Sequence, residues 1–128
     1  MNNIIVKKSG NTNNAHVFYR NQKIVCKIGK NGIGVKTREG DMVTPKGVFK
    51  LQNVFFRNDR VKKFVCGIPK IKIRESFIWS TDSRDKKYNT LLLKPSKFLH
   101  ERLYRKDQLY NIVVTTSFNL NPTKKYKG

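Results

Sequence analysis

Between Gly29 and Gly47 the chain carries five glycines and a Thr-Pro step. A compact domain rarely keeps a loop that long without a reason. Turn chemistry accounts for its punctuation. Gly40, set between Glu39 and Asp41, permits a turn at positive φ. Thr44, preceding Pro45, is pushed into an extended conformation, and Gly47 lets the chain enter a strand that begins at Val48. Arg38 is placed to hold Glu39 or Asp41 from an adjacent strand.

What flanks this loop reads as β-structure. Ile4, Ile5 and Val6 form a short apolar run. His16 to Tyr19 and Lys23 to Ile28 flank Arg20-Asn21-Gln22, which predicts a hairpin. In its second strand Ile24, Cys26 and Ile28 point one way and Lys23, Val25 and Lys27 the other, the alternation of a half-buried strand. Strands are also expected at Val48 to Phe56, at Val61 to Cys66 and Ile68 to Ile73 around Gly67 and Pro69, and at Phe77-Ile78-Trp79, which runs into a polar turn from Ser80 to Tyr88. Pro95-Ser96 predicts a short helix through Phe98, Leu99, Leu103 and Tyr104, with Glu101 and Arg105 paired four apart. Ile112 to Thr116 is a β-branched run of the kind found in buried central strands. Residues 119–128 form a polar tail. The expectation is a mostly β single domain over residues 1–128, with mixed strands and one or two short helices. Because its strongest strand comes just before the tail, the domain is expected to be incomplete, with C-terminal strands missing and an unpaired edge on Ile112 to Thr116.

The chain's 128 residues fit one domain, and its formal net charge of +20 draws polyanions: nucleic acid, an acidic membrane surface or an anionic cell-wall polymer. Its basic residues are scattered, with pairs such as Lys62-Lys63 and Lys86-Lys87 but no dense run. Phe18, Tyr19, Phe55 and Phe56 are the aromatic residues that would stack bases if nucleic acid were the partner. No apolar run is long enough for a signal-peptide core or a membrane span, which by itself points to the cytoplasm.

Read together, three separated blocks resemble a known family. Arg38-Glu39-Gly40-Asp41 followed by Thr44-Pro45-Lys46-Gly47-Val48-Phe49 is similar to a signature of L,D-transpeptidase (YkuD-type) domains. Trp79-Ser80-Thr81-Asp82 with Tyr88-Asn89 resembles the tryptophan–aspartate and tyrosine–asparagine pair of the same subgroup. Tyr104 to Val114 resembles its next block, which ends at an asparagine like Asn119. The match runs in order from Ile24 to Asn121. It implies an L,D-transpeptidase-like mixed β-sheet or sandwich fold, a role in peptidoglycan cross-linking and cell-wall biogenesis, stem peptides as partners and a cell-envelope location. The quoted residues are expected to shape the scaffold.

The family's reaction attacks a stem-peptide amide with a cysteine thiolate and passes the acyl group to an amine. That chemistry needs a histidine to take the thiol proton and backbone N–H groups to hold the oxyanion. The resemblance places both the histidine and a Ser/Thr-x-Gly-Cys segment after the strand resembling Ile112 to Thr116. The sequence contains no such segment, so an inactive, truncated form without catalytic residues is expected, with a separate chain carrying the catalytic half as a candidate partner. Cys26 and Cys66 read as small buried hydrophobes, and His16 and His100 as surface or structural residues. Asp82 with Asp85, and Asp107 with Glu101, read as solvated ion pairs with neighbouring cations rather than acid–base pairs. No metal-ligand spacing and no cofactor motif is present. The alternative reading is a non-catalytic basic module that binds an anionic polymer, either cell wall or nucleic acid.

Overall fold

The computed structural model describes residues 2–120, 123 and 124. Of the expected polar tail, residues 121, 122 and 125–128 therefore lie outside the described residues. Every regular element among the described residues is a strand, and the chain forms two compact units that divide at Gly47 and Val48. The mostly β expectation agrees with this.

The first unit begins with a three-stranded antiparallel sheet. Strand β1 (Ile5–Lys8) pairs with β2 (Asn14–Tyr19), and β2 pairs with β3 (Gln22–Lys27). Tyr19 lies opposite Gln22, so the hairpin turn is Arg20-Asn21, with Arg20 at φ 51°. Residues directly opposed across an antiparallel pair point to the same face. Ala15, fully buried, therefore shares a face with Cys26, while His16 shares the other with Val25. Burial rises along the alternating set, from Ile24, 53% exposed near the turn, through Cys26 to buried Ile28. Beyond the sheet, the glycine-rich segment folds back on itself. Its two short strands β4 (Ile33–Gly34) and β5 (Thr44–Pro45) pair in parallel.

The second unit holds two three-stranded sheets. In one, β6 (Leu51–Phe56) lies between β11 (Ile112–Thr116), antiparallel to it, and β7 (Lys70–Lys72), parallel to it. In the other, β8 (Ile78–Ser80) lies between β9 (Leu91–Leu92) and β10 (His100–Arg102), both antiparallel. Strands of both sheets feed one apolar cluster. Phe55, Ile73, Phe77 and Leu103 are its buried members, with Ile71, Trp79, Leu91, Tyr104, Tyr110 and Val113 packed around them. The rings of Phe55 and Phe77 meet edge to face at 6.4 Å. Burying a side chain of this size contributes about 1.5–3 kcal/mol.

Several segments differ from their local sequence preference. No helix forms at Pro95 to Tyr104. Instead Glu101 lies opposite Trp79 in the β8–β10 pair, and Thr81 and Leu103 donate backbone N–H groups to Leu99 and Phe77 at 3.1 Å each. Long-range pairing overrides a four-residue spacing that only locally favours helix; the Glu101–Arg105 ion pair survives at 3.8 Å on a non-helical backbone. Residues 61–66 form no strand, since adjacent Lys62 and Lys63 would send one charge to each face. Pairing resumes only at β7. Ile112 to Thr116 is not a central strand: β11 is the outer strand of its sheet, with Ile112 48% and Val114 43% exposed. Cys26 and Cys66 are free and only half-buried rather than core residues.

Candidate functional site

The residues singled out from sequence gather into two separate networks, one in each unit. In the first, Asp41 is the hub. Its buried carboxylate accepts hydrogen bonds from Lys36 Nζ at 2.7 Å, the N–H of Thr37 at 2.9 Å, the N–H of Val43 at 3.0 Å and the N–H of Arg38 at 3.4 Å. The Lys36 ammonium, helped by these amides, holds the Asp41 carboxyl well below the usual carboxylate range. The cation that reaches Asp41 is thus Lys36, while Arg38 contributes its backbone. Asn31 clasps the backbone carbonyl of Asp41 at 2.8 Å, and Thr44 Oγ1 accepts from the N–H of Gly29, also at 2.8 Å. Gly40 takes φ +74°, the positive φ that its missing Cβ permits, and Thr44-Pro45 is extended as β5. Gly29 has a role that its sequence position did not show. A Cβ there would stand 2.2 Å from the Met42 carbonyl oxygen, so the two arms of the loop close only over a glycine. Gly47 ends this unit. Phe49 belongs to the other, its ring edge-on to Phe118 at 5.4 Å.

In the second unit Trp79, Asn89 and Asn119 form a chain. The Trp79 indole N–H donates to Asn89 Oδ1 at 3.1 Å, and Asn89 Nδ2 donates to the Asn119 carbonyl at 3.1 Å. Both asparagines adopt left-handed backbone conformations, φ 58° and 49°, which Asn tolerates better than other non-glycine residues. Asn119 in turn accepts the Lys124 N–H at 2.7 Å and donates to its carbonyl at 2.9 Å. Beside this chain, the turn from Ser80 to Tyr88 is built on two buried carboxylates. Asp85 accepts from Ser80 Oγ at 2.8 Å and from the N–H of Lys87 at 2.9 Å. Asp82 accepts the Arg84 guanidinium at 2.7 and 2.9 Å, the Arg84 N–H at 3.0 Å and the Leu99 N–H at 3.3 Å. The Arg84 side chain, foremost, lowers the Asp82 pKa. Tyr88 is buried, and its N–H donates to the Asp85 carbonyl at 3.1 Å.

A third network was missed from sequence. Arg57, at the end of β6, is buried. It is fixed bidentately to Asp59 at 2.8 and 2.9 Å, donates to the Arg105 carbonyl at 2.5 Å, and lies 3.6 Å from the Tyr104 ring centroid. Arg60 adds bonds to the carbonyls of Lys106 and Asp107 and to Asn111 Oδ1. Two arginines three apart thus fasten the segment leading into β11. The only available hint was that Arg57 follows two aromatic residues at the end of a strand.

Asp41 and Asp82 are buried acceptors with several donors each, whereas Asp107 is 52% exposed. The Arg105 guanidinium, 2.6 Å away, holds the Asp107 carboxyl down to about 2. None of Asp41, Asp82 and Asp107 carries a proton to donate near neutrality, so they act as struts rather than general acids. Cys26 and His16 project from opposite faces of their sheet, and Cys66 Sγ donates to the Ile68 carbonyl in its own loop at 3.2 Å. His100 Nδ1 lies 2.7 Å from the Phe98 carbonyl. Among the described residues no cluster of three or more His, Cys, Asp or Glu converges on a metal position, and no helix is long and apolar enough to cross a membrane. Of the four candidate base-stacking rings, Phe55 is in the core and Phe56 packs edge-on against Phe64 at 5.0 Å. Phe18 carries Lys7 and Lys23 ammonium groups within 6 Å, and Tyr19 carries Arg20.

Compared with protein-family models, curated proteins and solved structures, the chain matches none of them.

Proposed function

We propose that this chain is an L,D-transpeptidase-like scaffold that serves peptidoglycan cross-linking, and that neither of its cysteines is an acyl-transfer nucleophile. The observation that carries this reading is the Trp79–Asn89–Asn119 relay. Trp79 and Asn89 from one sequence block and Asn119 from the next, up to forty positions apart, meet through two hydrogen bonds. Convergence of this kind is expected if the blocks are parts of one inherited scaffold. The Arg38 to Asp41 block supports the same view, since its residues build a self-contained loop around a buried carboxylate.

Geometry supports the non-nucleophilic reading. A thiol at its ordinary pKa is mostly protonated at neutral pH, and acyl transfer requires an imidazole in reach to remove that proton. His16 points away from Cys26, and Cys66 is occupied with a carbonyl of its own turn. Purified chain incubated with stem tetrapeptide and a labelled D-amino acid should exchange no acyl group, with or without Cys26→Ala and Cys66→Ala, and should be retained on purified sacculi. Exchange that disappears in either cysteine variant overturns the proposal, as does failure to be retained on sacculi even at low salt.

A further inference from the structure

The segment from Arg60 to Arg74 contains six basic residues and no acidic one. Its first half is the loop joining β6 to β7. The loop is anchored at its ends, where Val61 donates to the Arg57 carbonyl at 2.8 Å and Val54 donates to the Pro69 carbonyl at 2.9 Å. Between these anchors Phe56, Lys62, Lys63, Phe64, Val65 and Lys70 line a cleft of about 440 Å³. Lys62, Lys63 and Lys70 are exposed, and Val65 is 100% exposed at the loop's tip. Of the two carboxylates that flank the segment in sequence, Asp59 is committed to Arg57 and Glu75 is exposed just beyond Arg74.

We infer that this loop is a docking site for the surface of an anionic lipid bilayer, independent of the peptidoglycan role proposed above. Three lysine charges around an apolar tip match a surface with anionic headgroups above an acyl layer. The ammonium groups meet the headgroups, Val65 enters the boundary, and the lysine stems lie along it. Single-stranded nucleic acid fits less well. Stacking needs a free ring face, yet the Phe64 ring is covered by Lys70 Nζ at 5.1 Å and meets the Phe56 ring edge to face. A polar glycan would have nothing to pair with a fully exposed valine.

Flotation with vesicles tests this. The chain should float with vesicles of phosphatidylcholine and phosphatidylglycerol in equal parts, and should not float with phosphatidylcholine alone. Replacing Lys62, Lys63 and Lys70 by Gln should weaken binding about a hundredfold, roughly fivefold per lysine. Replacing Lys7, Lys23 and Lys27 by Gln removes the same charge from residues that line no part of the cleft and should change it by no more than about threefold. Val65→Ser should weaken binding about fivefold without altering net charge. All these side chains are exposed, so unchanged urea melts will show that the variants fold. Equal losses in the two lysine triples, indifference to phosphatidylglycerol, or tighter binding to oligouridylate than to vesicles that is lost in the Lys62/Lys63/Lys70 triple each overturn the proposal.

Discussion

The Trp79 indole is hydrogen-bonded at 3.1 Å to the side-chain oxygen of Asn89, a residue whose own backbone sits at φ 58°. Besides donating to the Asn119 carbonyl, this asparagine does two jobs: it turns the chain into β9 and it accepts the indole proton beside the core. Asn89→Ala loses both functions and leaves the indole N–H without its acceptor, so it should destabilise the second unit by about 2–3 kcal/mol. Asn89→Gly keeps the backbone conformation and should cost about 1 kcal/mol less. Trp79 is the only tryptophan in the chain, so urea unfolding followed by its fluorescence reads both variants. Equal stability for Ala and Gly would remove the backbone part of the argument.

The two loop glycines should respond very differently to the same substitution. Gly29→Ala drives a Cβ into the Met42 carbonyl and should cost at least about 2 kcal/mol. Gly40→Ala meets no atom within 4 Å and bears only its φ of +74°, a cost of about 1 kcal/mol. Amide hydrogen exchange across residues 29–47 measures both. A Gly40 variant as damaging as the Gly29 variant would contradict the close approach.

Acid should unfold the chain through its struts. Asp41, Asp82 and Asp107 have pKa values lowered from the ordinary 3.8 by Lys36, Arg84 and Arg105 respectively, Asp107 to about 2. A carboxyl whose folded pKa is depressed stabilises fully above its unfolded value, and that contribution is lost as pH falls through the folded one. The urea midpoint should therefore hold steady down to about pH 4.5 and fall between about pH 4 and 2. Asp82→Asn should flatten that fall. A midpoint unchanged at pH 2 in the parent chain would show that the struts carry no linkage.

Arg57→Lys keeps the charge but loses the fork to Asp59 and the flat contact with Tyr104. The segment around Arg105 and Lys106 should then open more often, and trypsin should cleave it on the order of tenfold faster. Cleavage at the parent rate would mean that Arg60 alone suffices to hold the segment.

Much of the local structure was legible in the amino-acid order because its causes are local. Gly40 can turn at positive φ because it has no Cβ, the residue before Pro45 must extend, and the alternation from Lys23 to Ile28 belongs to a strand whichever partner it finds. Those preferences come from sterics within a few bonds. What stayed hidden depended on partners far along the chain. The β-branched run Ile112 to Thr116, whose place before the polar tail pointed to an open edge, reads as buried, and only the order β11-β6-β7 leaves Ile112 and Val114 exposed. Glu101 and Arg105 are spaced for a helix, yet the backbone pairing of β10 with β8 outweighs a surface ion pair worth a few tenths of a kcal/mol. The meeting of Trp79, Asn89 and Asn119, and the closing of Gly29 over Met42, likewise exist only once distant segments are side by side. Conformational preference is set by each residue and its neighbours, whereas burial and partnership are properties of the packed chain.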